Sequence, residues 1–132
     1  MAERVPRYTD GVPVDVVARV RQLCLALPDA YEEPAWRGTR WMVRKRTFAH
    51  VLGFHPDGAS HCVMLSFRSD GDELEVLRRA GPPFVELGWG RDSIGLVIDD
   101  LADWGEVHEL ITESFCVMAP KKLVSLVDRP SE

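Results

Sequence analysis

Apolar positions recur with a helical period in two long segments of the chain. The first covers residues 15–27 and ends at Pro28, which lacks the backbone N–H that a continuing helix needs. The second begins at Asp103, has Glu106 three residues later, and ends at Pro120. Both segments are therefore predicted to be amphipathic helices that pack on a core.

Two shorter helices are predicted from their end signals. Residues 70–80 begin with Asp70 and Glu73 at capping-box-like spacing, and the Gly-Pro-Pro sequence at residues 81–83 ends the helix. Residues 120–127 begin with a proline, which is favoured at the start of a helix, and form a last short helix.

Between the helices the pattern changes to short apolar runs rich in strand-forming residues. The predicted strands cover residues 35–43 (interrupted by a tight turn at Gly38-Thr39), 47–55, 61–68, 84–87 and 93–98. The turn signal Pro56-Asp57-Gly58 makes residues 47–68 a hairpin. The order is one helix, four strands, one helix, two strands and two helices, which predicts an α+β fold with helices packed on an antiparallel sheet.

Length and composition favour a single domain outside the secretory route. The 132 residues fit one domain, with an ordered core expected at about residues 13–126. The odd set of Cys24, Cys62 and Cys116 has no paired spacing, so we interpret all three as small core residues in a reducing compartment. With no apolar signal region and no membrane-length apolar run, a cytoplasmic location without membrane association is expected.

The charge is unevenly distributed along a chain whose net charge is −5. Between Pro34 and Arg68, six basic residues stand against one acidic residue, whereas residues 69–113 hold three basic and twelve acidic residues. The first segment is therefore a candidate basic wing for phosphate contacts. The negative remainder predicts that any DNA binding is weak and salt-sensitive. The same charges are also typical of a solvated hairpin that resists aggregation.

Candidate nucleic-acid contacts follow from this basic segment. The tip of the wing is predicted at Arg44-Lys45-Arg46. The full set of predicted contacts is Arg37, Arg40, Trp41, Arg44, Lys45, Arg46, Lys121 and Lys122. An exposed tryptophan near the turn would stack on a base, although the pattern favours a core position for both Trp36 and Trp41.

No recognisable catalytic or metal-binding constellation stands out. His55 and His61 flank the predicted hairpin turn and would approach each other, but two imidazoles without a third ligand are a weak metal signal. His50 is expected to pack against the sheet or to donate to a neighbour. The glycines around Trp89 lack the spacing of a phosphate loop and predict a bend between strands. We therefore predict a non-enzymatic protein without a cofactor or metal.

Three stretches carry a resemblance to a known family. They are LPDAYEEP at residues 27–34, WMVRKRTFAH at residues 41–50 and ESFCVMAPKKL at residues 113–123. Their order and spacing resemble the MmcQ/YjbR-like family of small bacterial proteins over about residues 13–126. The resemblance implies a twisted antiparallel sheet flanked by helices, similar to secretion chaperones, and a double-wing arrangement termed DNA-binding-like.

The chain departs from the family pattern at two places. The family commonly has Gly-Lys where this chain has Lys45-Arg46, and the missing glycine favours a longer or differently shaped turn over a type I′ turn. At residues 87–93 the lysines and histidines of the family are absent, so a ligand role is not carried over to that stretch. Lys121 and Lys122 match the family's terminal basic pair.

Two functions of different classes follow, together with a third possibility. The first is a nucleic-acid-binding module that uses the basic wing, and the alternative is a protein-interaction or adaptor domain like a secretion chaperone. The third is a small-molecule pocket between sheet and helices, lined by Trp36, Trp41 and Trp89. A monomer or a small homo-oligomer is expected in each case.

Overall fold

A computed structural model describes residues 7–55 and 60–127 of the chain. The elements, in order, are β1 (Arg7–Thr9), α1 (Val14–Leu25), β2 (Tyr31–Pro34), β3 (Thr39–Val43), β4 (Arg46–His55), β5 (Cys62–Arg68), α2 (Gly71–Arg78), β6 (Phe84–Glu86), β7 (Ser93–Ile98), α3 (Trp104–Met118) and α4 (Lys121–Val124). The predicted α+β class and the order from α1 onward are confirmed.

The strands form one antiparallel sheet in the order β2-β3-β4-β5-β7-β6. Strand β4 has ten residues, so β3 pairs with its first half and β1 pairs with its last three residues. Strand β1 was not predicted, because three residues are too few to carry a periodic signal. The first strand after α1 is β2, which lies before the position predicted for it at residue 35.

All four helices contribute side chains to one core on a single face of the sheet. The largest fully buried side chains there include Trp41, Phe48, Phe67, Phe115, Leu65 and Ile94. The Asp103 carboxylate accepts from the backbone N–H groups of Gly105 and Glu106, which confirms the predicted start of α3. Asp70 precedes α2, as predicted, although its side chain makes no capping bond.

A β-bulge at Phe48 changes which side chains of β4 face the helices. Trp41 of β3 pairs with Ala49, but the next residue, Met42, pairs with Thr47, so Phe48 has no partner on β3. Phe48 packs edge-to-face against Phe115 of α3 at 5.3 Å between ring centroids. Phe48 and Ala49 therefore both belong to the helix-covered core. The alternation of side chains between the two faces of β4 is interrupted at this point.

Ser114 attaches the C-terminal half of α3 to one end of the sheet. Its fully buried Oγ donates to the Phe48 carbonyl at 2.6 Å and accepts from the Arg68 N–H at 2.7 Å. Phe48 lies near the start of β4 and Arg68 is the last residue of β5. The end of α3, and α4 after it, therefore lie at the same end of the sheet as the β3–β4 turn.

The other face of the sheet carries no helix in the described ranges and is called the open face below. Its apolar part is a small cluster of Leu52, Phe54 and Met64, covered by Tyr8, Val85 and Leu87. Its polar part is a row of cross-strand partners, Arg40, His50 and Ser66. None of the helices in the described ranges is long and apolar enough to cross a bilayer.

Candidate nucleic-acid interface and open-face groove

The predicted wing is the turn that joins β3 to β4. Only Arg44 and Lys45 lie between the two strands, and their φ angles of 50° and 68° are both positive, as in a type I′ turn. The expectation of a longer or differently shaped turn was therefore wrong. Side chains from the preceding segment support the unusual backbone: the Tyr31 hydroxyl accepts from Lys45 N–H at 3.2 Å, and Asp29 pairs with Arg44 at 3.3 Å.

Several of the predicted phosphate contacts are already engaged within the chain. Arg40 pairs with Glu33 at 2.8 Å, Arg44 pairs with Asp29, and the Arg37 guanidinium donates to two backbone carbonyls at 3.3 Å each. A count of charges from Pro34 onward leaves out these carboxylates, because they lie just before that residue in the chain. The pairing of β2 with β3 brings Glu33 directly opposite Arg40.

Four predicted contacts make no ion pair within residues 7–55 and 60–127, and we call them the wing-end cations. They are Lys45, Arg46, Lys121 and Lys122, and all four residues are exposed. The first two belong to the β3–β4 turn and the start of β4, and the other two begin α4. Since Ser114 fixes the end of α3 beside Phe48, both pairs lie at the same end of the sheet.

The two tryptophans near the wing have opposite environments. Trp41 is fully buried, and its indole N–H donates to Glu32 at 2.9 Å, so its assignment as a nucleic-acid contact was wrong. Its predicted core position is confirmed. Trp36 was also expected in the core, but its side chain is 61% exposed. It lies between β2 and β3, where the chain crosses the open face rather than the helix-covered one.

The open face holds a groove with a volume of about 450 Å³. Its floor includes His50, Ser66 and Ser93, each at most 7% exposed, and its wall is formed by Trp36 and Trp89. Arg40 and Arg68 line it as well. The predicted pocket lined by tryptophans is thus on the opposite side of the sheet from the one expected, and Trp41 is not part of it.

Aromatic contacts hold the two groove indoles in place. The centroid of Tyr8 lies 5.5 Å from that of Trp36 and 5.3 Å from that of Trp89, and Tyr8 also stacks on Phe54 at 5.4 Å. Trp36 and Trp89 meet at 6.2 Å with their planes 72° apart. Edge-to-face pairs of this kind contribute about 0.5–1.5 kcal/mol beyond simple burial. These contacts therefore hold the two indoles at an angle to each other over the groove.

Sequence reasoning missed most of this groove. His50, Ser66, Arg68 and Ser93 lie on three different strands and are united only by cross-strand pairing. Trp36 and Trp89 were the available signals, because both are predicted from the sequence to line a pocket. Trp89 stands between two glycines with positive φ. The prediction of a bend at that position is confirmed, but its indole also reaches the groove.

His50 has a defined tautomer at the groove floor. Its Nε2 lies 2.6 Å from the Arg37 carbonyl, and since a carbonyl only accepts, Nε2 carries the proton. Burial lowers the pKa of His50 below its ordinary value, the bond to the Arg37 carbonyl partly opposes this, and the nearby Arg40 charge adds to the lowering. At neutral pH the ring is therefore neutral, and Nδ1 is an acceptor.

The lowered pKa of His50 predicts a pH dependence of stability. As pH falls below the ordinary histidine pKa of about 6.5, the unfolded chain takes up the proton before the folded one does. The free energy of unfolding should therefore decrease with falling pH until the folded pKa is passed. We expect His50→Gln, which keeps a donor for Arg37 but does not titrate, to lose this component. Urea unfolding at a series of pH values measures it, and parallel curves for the two proteins would contradict it.

The remaining histidine and cysteine predictions have simple outcomes. His55 and His61 approach each other, with ring centroids 5.0 Å apart. Within the described ranges no group of three or more potential metal ligands is present. Cys24 is buried, and burial raises the pKa of its thiol well above its usual range, whereas Cys62 and Cys116 are half-buried. The turn signal at residues 56–58 lies outside the described residues.

Comparison with known proteins identifies one family. The chain matches the family model described as YjbR over residues 25–117, which is more than half of its length. No curated protein matches the chain. The matched range includes the β3–β4 turn and every residue that lines the groove, but it excludes Tyr8, Lys121 and Lys122.

Proposed function

This chain belongs to the YjbR family, and from that premise we propose that it is a non-enzymatic binding module that contacts DNA phosphates through the wing-end cations. The supporting observation is that these four basic residues have no carboxylate partner in the described chain, while Arg40 and Arg44 do. A cation already paired with a carboxylate gains less from a phosphate, because it must give up or share its partner. The proposal therefore uses a subset of the predicted contacts.

The geometry of the turn supports the same proposal. A two-residue turn presents Lys45 at its tip, where the Tyr31 hydroxyl accepts from the Lys45 N–H and Asp29 pairs with the neighbouring Arg44 side chain. A pre-ordered contact loses less conformational entropy on binding than a mobile one. Four phosphate contacts predict a slope of log K against log salt of about −3 to −4. Binding should be weak, because the net charge of the chain is −5.

A titration of a labelled DNA oligonucleotide at low salt tests this proposal by fluorescence anisotropy. We expect Lys45→Ala/Arg46→Ala to weaken binding about thirtyfold, since two lost charge-assisted contacts of roughly 1 kcal/mol each amount to about 2 kcal/mol. The matched control is Arg21→Ala/Arg78→Ala, which removes the same formal charge but from two carboxylate-paired arginines outside the wing. Equal losses of DNA affinity in both variants would show that only the net charge of the protein matters, which contradicts a specific role for the wing-end cations. An absence of binding by the parent protein would refute the proposal.

A protein-interaction function is the second candidate, and one surface favours it. Leu101 is 90% exposed beside a cavity that is also lined by Pro82 and the acidic Asp103 and Glu106. An exposed apolar side chain with an acidic rim suits a partner segment that is apolar and basic. Affinity capture with the parent protein and with Leu101→Lys distinguishes the candidates. A stoichiometric protein that only the parent retains would favour this function over DNA binding.

A further inference from the structure

The open-face groove has polar side chains on its floor. Ser66 and Ser93 line the groove and are 7% and 6% exposed, so only a small part of each residue is accessible from the open face. The Arg40 Nε–H is buried, and it has no hydrogen-bond partner in the part of the chain that the structure describes. A buried donor without a partner is unfavourable unless a polar group accepts from it. The groove therefore offers two hydroxyls and one buried donor to a polar ligand.

The wall of the groove suits a flat ring. Trp36 is 61% exposed and Trp89 is 36% exposed, so each indole leaves part of its surface accessible. Their planes stand 72° apart, which makes a corner in which a planar ligand stacks on one indole and presents its edge to the other. The volume of about 450 Å³ is within the range typical of small-molecule sites.

The remaining donors suit an anion. Arg40 and Arg68 each bind a carboxylate at 2.8 Å, from Glu33 and Asp92 respectively, through a single nitrogen. A guanidinium has five N–H donors, so each arginine keeps donors for a second acceptor. Arg40 on β3 is level with Ser66, two strands away on β5, and Arg68 is two residues beyond Ser66 on the same face. The spacing between strands and the two-residue offset together place the Cα atoms of Arg40 and Arg68 about 12 Å apart, so their long side chains can reach one ligand.

We infer that the open-face groove binds a small planar ring that carries an anionic group, either an aromatic carboxylate or a nucleoside monophosphate. The ring stacks in the corner of Trp36 and Trp89, and the anion accepts from Arg40, Arg68 and the buried serine hydroxyls. The neutral His50 supplies an acceptor, Nδ1, for a donor on the ring. This site is separate from the wing-end cations and does not depend on the function proposed for them.

Indole N–H signals in a ¹⁵N correlation spectrum test this inference, because the four tryptophans report on different places. Trp36 and Trp89 line the groove, Trp41 is buried on the other face, and Trp104 packs under Arg19 at 4.2 Å. We expect adenosine monophosphate or benzoate to shift the Trp36 and Trp89 signals saturably and to leave the other two unchanged. The probe that binds more tightly shows whether the groove prefers a phosphate or a carboxylate. Adenosine, which lacks the anionic group, should bind at least about tenfold more weakly than adenosine monophosphate.

Variants give the inference its control. Arg68→Gln and Ser66→Ala should each weaken binding of the stronger probe, whereas Arg19→Gln, a matched arginine outside the groove, should not. Trp36→Ala removes an exposed side chain from the wall of the groove. This variant still tests the groove if a variant of a residue on the groove floor does not fold. Lys45→Ala/Arg46→Ala should bind the probe normally even if it loses DNA. Saturation by neither probe, or equal shifts of all four indoles, would overturn the inference.

Discussion

Replacement of Trp41 by alanine should reduce the free energy of unfolding by about 3–5 kcal/mol, the range observed when a large buried aromatic side chain is removed. Trp41 is fully buried in the helix-covered core, and its indole N–H donates to Glu32 at 2.9 Å. The substitution leaves a large cavity and removes one of the bonds that hold Glu32. Equilibrium urea unfolding followed by far-ultraviolet circular dichroism measures the loss.

The matched control is Trp36→Ala. Trp36 is 61% exposed and contacts Tyr8, His50 and Trp89 only through edge-to-face packing. Its removal should cost about 1 kcal/mol, the scale of such aromatic contacts. Comparable losses for the two variants would show that the open-face cluster contributes to folding as much as the core does, contrary to the burial pattern.

The second large effect is expected for Gly38→Ala. Gly38 has a φ of +73°, and a Cβ built on it would lie 1.9 Å from the Val51 carbonyl oxygen of β4. That oxygen belongs to the backbone of a central strand, so no side-chain rotation relieves the clash. Left-handed strain and overpacking together predict a loss of about 2–5 kcal/mol, measurable by the same urea unfolding.

Gly71→Ala separates the two causes of that loss. Gly71 has a φ of +60°, but a Cβ added there would meet nothing within 4 Å. Only the conformational cost of about 1–2 kcal/mol is therefore expected. If both alanine variants lose the same amount, the close approach of Gly38 to β4 is not what requires glycine. The N–H of Gly38 also donates to Asp10 at 2.7 Å, so a displaced turn would release this bond as well.

Most of the fold could be predicted from local pattern. The apolar periods of α1 and α3, the proline and glycine stops, and the alternation in β4 and β5 are properties of short segments. Each depends on residues within a few positions of one another, so the sequence carries the information directly. Strand β1 could not be predicted in this way. It exists because β4 is long enough to pair with it, and the three residues of β1 carry no local pattern that indicates this pairing.

The candidate site was only partly predictable, for a different reason. Whether an arginine is available for a phosphate depends on whether the register of the sheet places a carboxylate opposite it. Glu33 lies opposite Arg40 in this way and forms an ion pair with it. Hydrophobicity alone assigned Trp36 and Trp41 to the same environment, yet they lie on opposite faces of the sheet. The absence of glycine likewise argued against a type I′ turn, but bonds from Asp29 and Tyr31 support it.

Local sequence patterns were enough to predict the α+β class, the order of the elements from α1 onward, the positions of the main helices and strands, and a basic segment in an acidic chain. Only the folded sheet shows which cations of that segment have a carboxylate partner, which tryptophan is accessible, and that residues of four strands meet in one groove. Ion pairing, burial and cavity formation depend on contacts between strands, and such contacts are not encoded in any one segment. Those contacts follow from register and from the bulge at Phe48, which only the assembled sheet defines.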